Sequence, residues 1–91
     1  MNEALRGQPK TIEYRGEWVT LRRPTVADLA EALHVNATAP GEANAWLLWR
    51  HLETRAGVQV FSSLEHAKAC PLRLALRIVP MIEEMYGEGR D

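Results

Sequence analysis

Residues 71–86 of the chain read Pro-Leu-Arg-Leu-Ala-Leu-Arg-Ile-Val-Pro-Met-Ile-Glu-Glu-Met-Tyr. On a helix with the usual step of about 100° per residue, the apolar side chains of this stretch cover roughly two thirds of the circumference. Arg73, Arg77 and Glu84 share one narrow polar strip. A surface helix of a small domain needs a single apolar stripe. The excess apolar arc therefore predicts a second burial partner, which in so short a chain we expect to be another protein.

Composition bounds the class of protein. The chain has 91 residues, of which 46% are hydrophobic and 25% charged, and its formal net charge is −1. These values are typical of one globular domain and argue against nucleic-acid binding driven by bulk positive charge. Cys70 is the only cysteine, so no intramolecular disulfide can form and a reducing compartment is expected. The sequence has no secretory signal and no segment long enough to span a bilayer, so a soluble cytoplasmic protein is the simplest expectation.

A single domain is expected over residues 11–87, between a flexible tail at residues 1–10 and a frayed end at residues 88–91. The domain begins with alternating apolar and polar residues, which are interrupted by Gly16 and then resume. Two such runs around a glycine predict a β-hairpin. Because an isolated hairpin is marginal in water, it should pack on helices or pair across an interface.

Four helices are predicted after the hairpin, so the expected fold class is α+β and mainly α. The first covers about residues 26–35, with Thr25 as its N-cap and Asp28 in its first turn. The face of this helix that we expect to be buried consists of Val26, Leu29, Ala30 and Leu33.

The other three helices follow from periodicity and from residues that end helices. The second covers about residues 42–56 and stops at Gly57, and the third covers about residues 63–69. The last runs from Pro71 to about Tyr86. Pro80 lies inside it and should kink it, because proline cannot donate a backbone hydrogen bond.

Chemically reactive side chains are few and scattered. His34, His51 and His66 do not follow the spacing of a metal motif, so we expect them to be exposed or locally bonded. Cys70 lies one helical turn after His66, which leaves a thiol-dependent site open, although a small core cysteine is the simpler interpretation. No catalytic residue, cofactor or metal is predicted, and we expect a binding protein rather than an enzyme.

The candidate partner-binding surface is a row on the last helix with neighbours on the second. Met81 and Met85 lie on the outer part of the apolar arc, and exposed methionine and tryptophan are typical of protein interfaces. Trp46 lies at the margin of the core stripe of the second helix, and Leu47 lies on the opposite side of that helix. The whole predicted surface consists of Leu74, Ile78, Met81, Met85, Trp46 and Leu47.

Residues 21–29 read Leu-Arg-Arg-Pro-Thr-Val-Ala-Asp-Leu. This segment resembles the Leu-Arg-x-Pro-Thr-x-x-Asp-Leu motif of the tail assembly chaperones of long-tailed bacteriophages, the Mu- and P2-like group. In that family a strand leads through Pro-Thr into the first helix. Residues 52–57, Leu-Glu-Thr-Arg-Ala-Gly, are similar to the end of the family's middle helix, and the resemblance spans about residues 11–86.

The resemblance implies a holdase that binds and solubilises the tape measure protein, a very long apolar helical chain, and helps to recruit tail tube subunits. Such a protein works in the host bacterial cytoplasm and leaves before the virion matures. Many members of the family are made in two lengths by a ribosomal frameshift, so a longer form of this chain stays open. The resemblance implies no catalytic residues or cofactors. We expect a homo-oligomer that binds its helical client in an apolar groove and binds neither nucleic acid nor membrane.

Three other classes of function stay open. One is a structural tail component or small adaptor, which would also use interaction surfaces. A second is a thiol-dependent factor centred on Cys70 and His66. The third is a DNA-binding protein, since helices in series can form a helix-turn-helix, although the near-neutral charge argues against it.

Overall fold

The computed structural model describes residues 10–88, and these residues form a three-stranded antiparallel sheet with helices packed on one face. The strands are β1 (Lys10–Tyr14), β2 (Glu17–Leu21) and β3 (Leu52–Thr54), in the order β1-β2-β3. The helices are α1 (Val26–Thr38), α2 (Ala43–His51), α3 (Leu64–Lys68) and α4 (Leu72–Glu88), with a short 3-10 turn at Pro40–Glu42. The predicted α+β, mainly α class is confirmed. The predicted tail and frayed end lie outside the described residues, except that Lys10 begins β1 and Glu88 ends α4.

The predicted hairpin is confirmed, and its turn explains why a glycine stands there. Arg15 and Gly16 have positive φ angles of 54° and 80°, the left-handed combination that tight hairpin turns require. Ile12 lies opposite Val19 in the register, and both side chains are buried on the helix-covered face of the sheet. On the other face Trp18 is 54% exposed.

The sequence pattern does not predict the third strand, because the helical spacing of the second helix continues through residues 52–56. In the structure α2 ends at His51, and Leu52 takes extended angles, with φ −96° and ψ 120°. Leu52 then pairs with Leu21 of β2, and both side chains are fully buried. Contact with a distant strand thus overrides local helical spacing. Gly57, with a φ of 84°, turns the loop after β3 rather than capping a helix.

The core lies between the sheet and the helices α2 and α4. Its buried apolar side chains are Ile12, Val19, Leu21, Trp46, Leu47, Leu48, Leu52, Phe61, Ala67, Ile78, Val79, Ile82 and Met85. The helix α4 runs uninterrupted through Pro80, whose side chain is exposed, and the kink at that position stays a prediction. No helix within residues 10–88 combines the length and the apolar character needed to cross a bilayer.

Candidate protein-binding surface

The surface predicted on the last helix and its neighbours is mostly buried, because four of its six side chains belong to the core. Ile78, Met85, Trp46 and Leu47 are buried, with exposed fractions of 0, 2, 3 and 8%, and Leu74 and Met81 are half-buried. The row on α4 is the stripe that this helix turns toward the sheet and α2. The angular spacing of residues on a helix shows how wide the apolar arc is, but it does not show which part of the arc faces the core.

A different apolar stripe is uncovered, and it lies on α1. Val26, Leu29 and Leu33 are exposed to 85, 40 and 58%, and Ala30 is exposed as well. These four residues, called the α1 stripe below, are the ones that periodicity predicts to be buried. That prediction is wrong for the isolated chain, in which Asp28 is the buried residue of this helix.

Polar contacts explain why α1 docks with its apolar stripe outward. The guanidinium of Arg22 donates to both carboxylate oxygens of Asp28, at 2.9 and 3.1 Å. The same carboxylate accepts from the Thr25 N–H at 2.8 Å, and the Asp28 N–H donates to the Thr25 hydroxyl at 3.2 Å. Burial alone would raise the pKa of Asp28, but the hydrogen bonds from Arg22 and Thr25 outweigh it and lower that pKa to about 2. The start of α1 is therefore fixed by a charged, bidentate contact.

A second anchor lies one turn further along α1. The indole Nε1 of Trp46 donates to a carboxylate oxygen of Glu31 at 2.8 Å. Beside it, Ala32 and Val35 pack half-buried against the core. Asp28 and Glu31 are the only acidic or basic residues of α1 apart from His34, and both contact the body of the protein. The α1 stripe consequently carries no carboxylate, ammonium or guanidinium group.

A groove runs beside the α1 stripe, between α1 and the C-terminal part of α4. Leu29 and Leu33 form one wall, Trp46 and Leu47 form the floor, and Tyr86 with Glu83 forms the other wall. It holds about 250 Å³. This is below the roughly 300–1,000 Å³ of sites that enclose small molecules, so the groove suits the side chains of a docked chain better than a cofactor. We call it the α1 groove.

A buried histidine braces the wall of this groove. The His51 side chain is fully buried, its Nδ1 lies 2.7 Å from the Arg22 carbonyl and its Nε2 lies 2.5 Å from the Tyr86 hydroxyl. Burial lowers the pKa of His51 and raises the pKa of Tyr86. Because a carbonyl can only accept, the neutral ring donates from Nδ1 and accepts the Tyr86 O–H at Nε2. The prediction that His51 is exposed or locally bonded is therefore wrong, because its partners Arg22 and Tyr86 are distant in the sequence and no local pattern indicates them. His34 and His66 are exposed as expected.

The structure does not join Cys70 and His66 into a thiol site. The Cys70 thiol donates to the Pro71 carbonyl at 3.6 Å, and burial raises its pKa, which favours the protonated form. His66 Nδ1 accepts from the Ser62 N–H at 3.1 Å, and its ring meets Phe61 edge to face. Each side chain thus contacts neighbouring residues on either side of α3, and these contacts stabilise the local backbone.

Within the described part of the chain, no cluster of three or more His, Cys, Asp or Glu side chains is arranged to hold a metal ion. Comparison with known proteins finds no matching family model, no matching curated protein and no matching solved structure. The grounds for a function are therefore the geometry of the α1 stripe and groove and the motif at residues 21–29.

Proposed function

We propose that this chain is a non-catalytic tail assembly chaperone of a long-tailed bacteriophage. In this proposal it binds and solubilises the tape measure protein in the host bacterial cytoplasm, helps to recruit tail tube subunits, and is absent from the mature virion. The single observation that carries the proposal is the uncovered α1 stripe beside an apolar groove. This surface replaces the row on α4 as the client-binding surface.

The exposure of the α1 stripe is costly enough to call for a partner. Val26, Leu29 and Leu33 together leave the equivalent of almost two large apolar side chains in water. Covering them would recover roughly 3–5 kcal/mol of transfer free energy. A free energy of this size is a large fraction of the total stability of a small domain. A bound client would therefore raise the stability of the chain measurably.

The residues that carry the family resemblance also position this surface. Leu21 anchors the end of β2 in the core, Arg22 grips Asp28, and Thr25 caps the helix. Leu29, the last residue of the motif, belongs to the stripe itself. The motif is therefore explained as the device that holds α1 with its apolar side outward, which supports a role for that side in binding.

An amphipathic helix is the client that fits this surface. A helix laid along the α1 stripe can insert an apolar anchor into the α1 groove, between Leu33 and Tyr86. The stripe is uncharged, so it imposes no strict charge pattern on the client. A holdase for a long helical chain needs this tolerance, because it must accept many similar segments.

The test is co-expression with a tape measure protein, which the proposal expects to be encoded beside this chain. We expect the wild-type chaperone to keep that protein in the soluble fraction, and the double variant Leu29→Glu/Leu33→Glu to lose most of this effect. Both positions are exposed, so the double variant should keep its helicity and its melting temperature. Circular dichroism of the purified variant checks this.

Val58→Glu is the matched control, because Val58 is 62% exposed in the loop after β3 and belongs neither to the α1 stripe nor to the lining of the α1 groove. It should solubilise the tape measure protein as the wild type does. A folded double variant that still solubilises the client would refute the α1 stripe as the binding surface. If purified virions contain the chain, the alternative of a structural tail component would replace the proposal.

A further inference from the structure

The solvent face of α4 carries a second apolar row. Leu72, Leu76 and Pro80 recur at every fourth residue and are exposed, the two leucines to 72 and 66%. Arg73 and Arg77 are exposed beside this row, and neither makes an ion pair with any residue between 10 and 88. The first half of this face is therefore apolar and basic.

The second half of the same face is acidic. Glu83 and Glu84 are both exposed near the C-terminal end of α4. Glu84 accepts from Lys10 at 2.6 Å through one carboxylate oxygen, and its other oxygen has no partner in the described residues. The face thus runs from basic to acidic along the helix, with an apolar row beside the charges. When a second copy of this helix lies antiparallel to the first, its acidic half faces the basic half of the first helix.

We propose that a second copy of this chain packs against this face, with the two α4 helices antiparallel about a twofold axis. A register centred between Ile78 and Val79 places Arg73 at the level of Glu84 of the second copy. It also brings Leu76 within one residue's rise of Pro80 of the second copy. The twofold axis repeats each contact, so one interface contains two Arg73–Glu84 pairs and two Leu76–Pro80 contacts.

The flanks of the helix agree with this arrangement. Arg73 and Glu84 are just over three helical turns apart, so they project on the same flank of the apolar row. A twofold axis perpendicular to antiparallel helices keeps each flank on its own side. Arg73 therefore meets Glu84, and not a second arginine. Glu83 lies about three turns from Leu72, in line with the apolar row and beside the groove that Lys68 lines.

The charge pattern favours a second copy over other occupants. Basic and acidic residues are present in the same number on this face, so a strongly basic or acidic partner would be repelled by one half. The α1 stripe, by contrast, has no charges and lies on a different helix. Self-association through α4 uses no residue of the α1 stripe, although Glu83 also lines the α1 groove. The dimer proposal stands independently of the proposed chaperone function.

The contact is small, so the dimer should be weak. One leucine, one proline and two charged residues per copy correspond to a dissociation constant of roughly 10 µM to 1 mM. The ion pairs are exposed, so high salt should weaken the dimer further. Sedimentation velocity from about 10 µM to about 1 mM covers this range.

The decisive experiment exchanges the charges. Arg73→Glu places Glu opposite Glu84, and Glu84→Arg places Arg opposite Arg73, so each single variant should raise the dissociation constant at least about tenfold. Mixing the two variants should restore association, because each mixed pair joins opposite charges again. The double variant should associate with itself as the wild type does.

Arg55→Glu and Glu13→Arg are the matched controls, since they make the same changes of charge on exposed residues near the sheet. They should leave the dissociation constant within about twofold of the wild-type value. A wild-type chain that stays monomeric up to about 1 mM would overturn the proposal, as would a mixture of the two single variants that fails to associate. Leu29→Glu/Leu33→Glu should dimerise normally, so the failure of one proposal is distinguishable from the failure of the other.

Discussion

Replacing Asp28 by asparagine removes one charge and keeps the size of the side chain. The carboxyl is only 6% exposed, and its contacts with Arg22 and Thr25 lower its pKa from 3.8 to about 2. This difference corresponds to about 2 kcal/mol of stability at neutral pH, which Asp28→Asn should lose. For a domain of this size the loss lowers the melting temperature by roughly 8–16 °C.

The pH dependence gives the prediction its sign. A carboxyl whose pKa is lower in the folded state stabilises the protein above the pKa of the unfolded chain and ceases to do so as pH falls through its folded pKa. The difference between the wild type and Asp28→Asn should therefore be full above pH 5 and should shrink between pH 4 and about pH 2. Urea denaturation followed by circular dichroism at each pH measures it.

Glu17→Gln is the control, because Glu17 is exposed at the hairpin turn and forms no ion pair within residues 10–88. It should change the free energy of unfolding by less than about 0.5 kcal/mol at any of these pH values. A loss below about 0.5 kcal/mol for Asp28→Asn at pH 7, or a loss that is the same at pH 3 and pH 7, would show that the Arg22–Asp28 contact does not anchor α1.

Three further substitutions test the packing around the site. Tyr86→Phe should destabilise the fold by about 1–3 kcal/mol in urea denaturation, because it leaves Nε2 of His51 buried without a donor. Leu52→Ala should cost about 2–5 kcal/mol in the same assay, since it opens a cavity where β3 meets β2. Gly57→Ala should lower the free energy of unfolding by about 1–2 kcal/mol, because the φ of 84° disfavours a side chain although no atom lies close enough to clash.

Local sequence rules predicted the elements whose signals lie within a few residues. The hairpin follows from alternation around Gly16, and α1 begins at Val26 behind the cap that Thr25 forms with Asp28. The strand β3 could not be found in this way. Leu52 fits a helical stripe and a strand equally well, and its partner Leu21 is distant in the sequence.

The sequence predicts that a helix carries an exposed apolar surface, but it does not predict which helix carries it. The apolar stripes on α1 and α4 are both visible in the sequence, yet periodicity does not say which stripe reaches the core. The contacts that decide it are Arg22 with Asp28 and Trp46 with Glu31, which join different elements. Neither pairing has a local signature, so the sequence assigned the buried stripe to α1 and the exposed row to α4.

The small sheet explains why α4 buries its apolar row while α1 leaves its apolar stripe exposed. The inner face of the sheet offers few apolar side chains, and α4 covers it with Ile78, Ile82 and Met85, all buried. Together with the buried Val79 and the partly buried Leu74 and Met81, these side chains are more numerous than those of the α1 stripe, so burying α4 stabilises the fold more. The helix α1 then docks through polar contacts, which hold it firmly without covering its apolar side. A domain that only had to fold would not need apolar residues at Val26, Leu29 and Leu33, so their presence favours a partner that covers them.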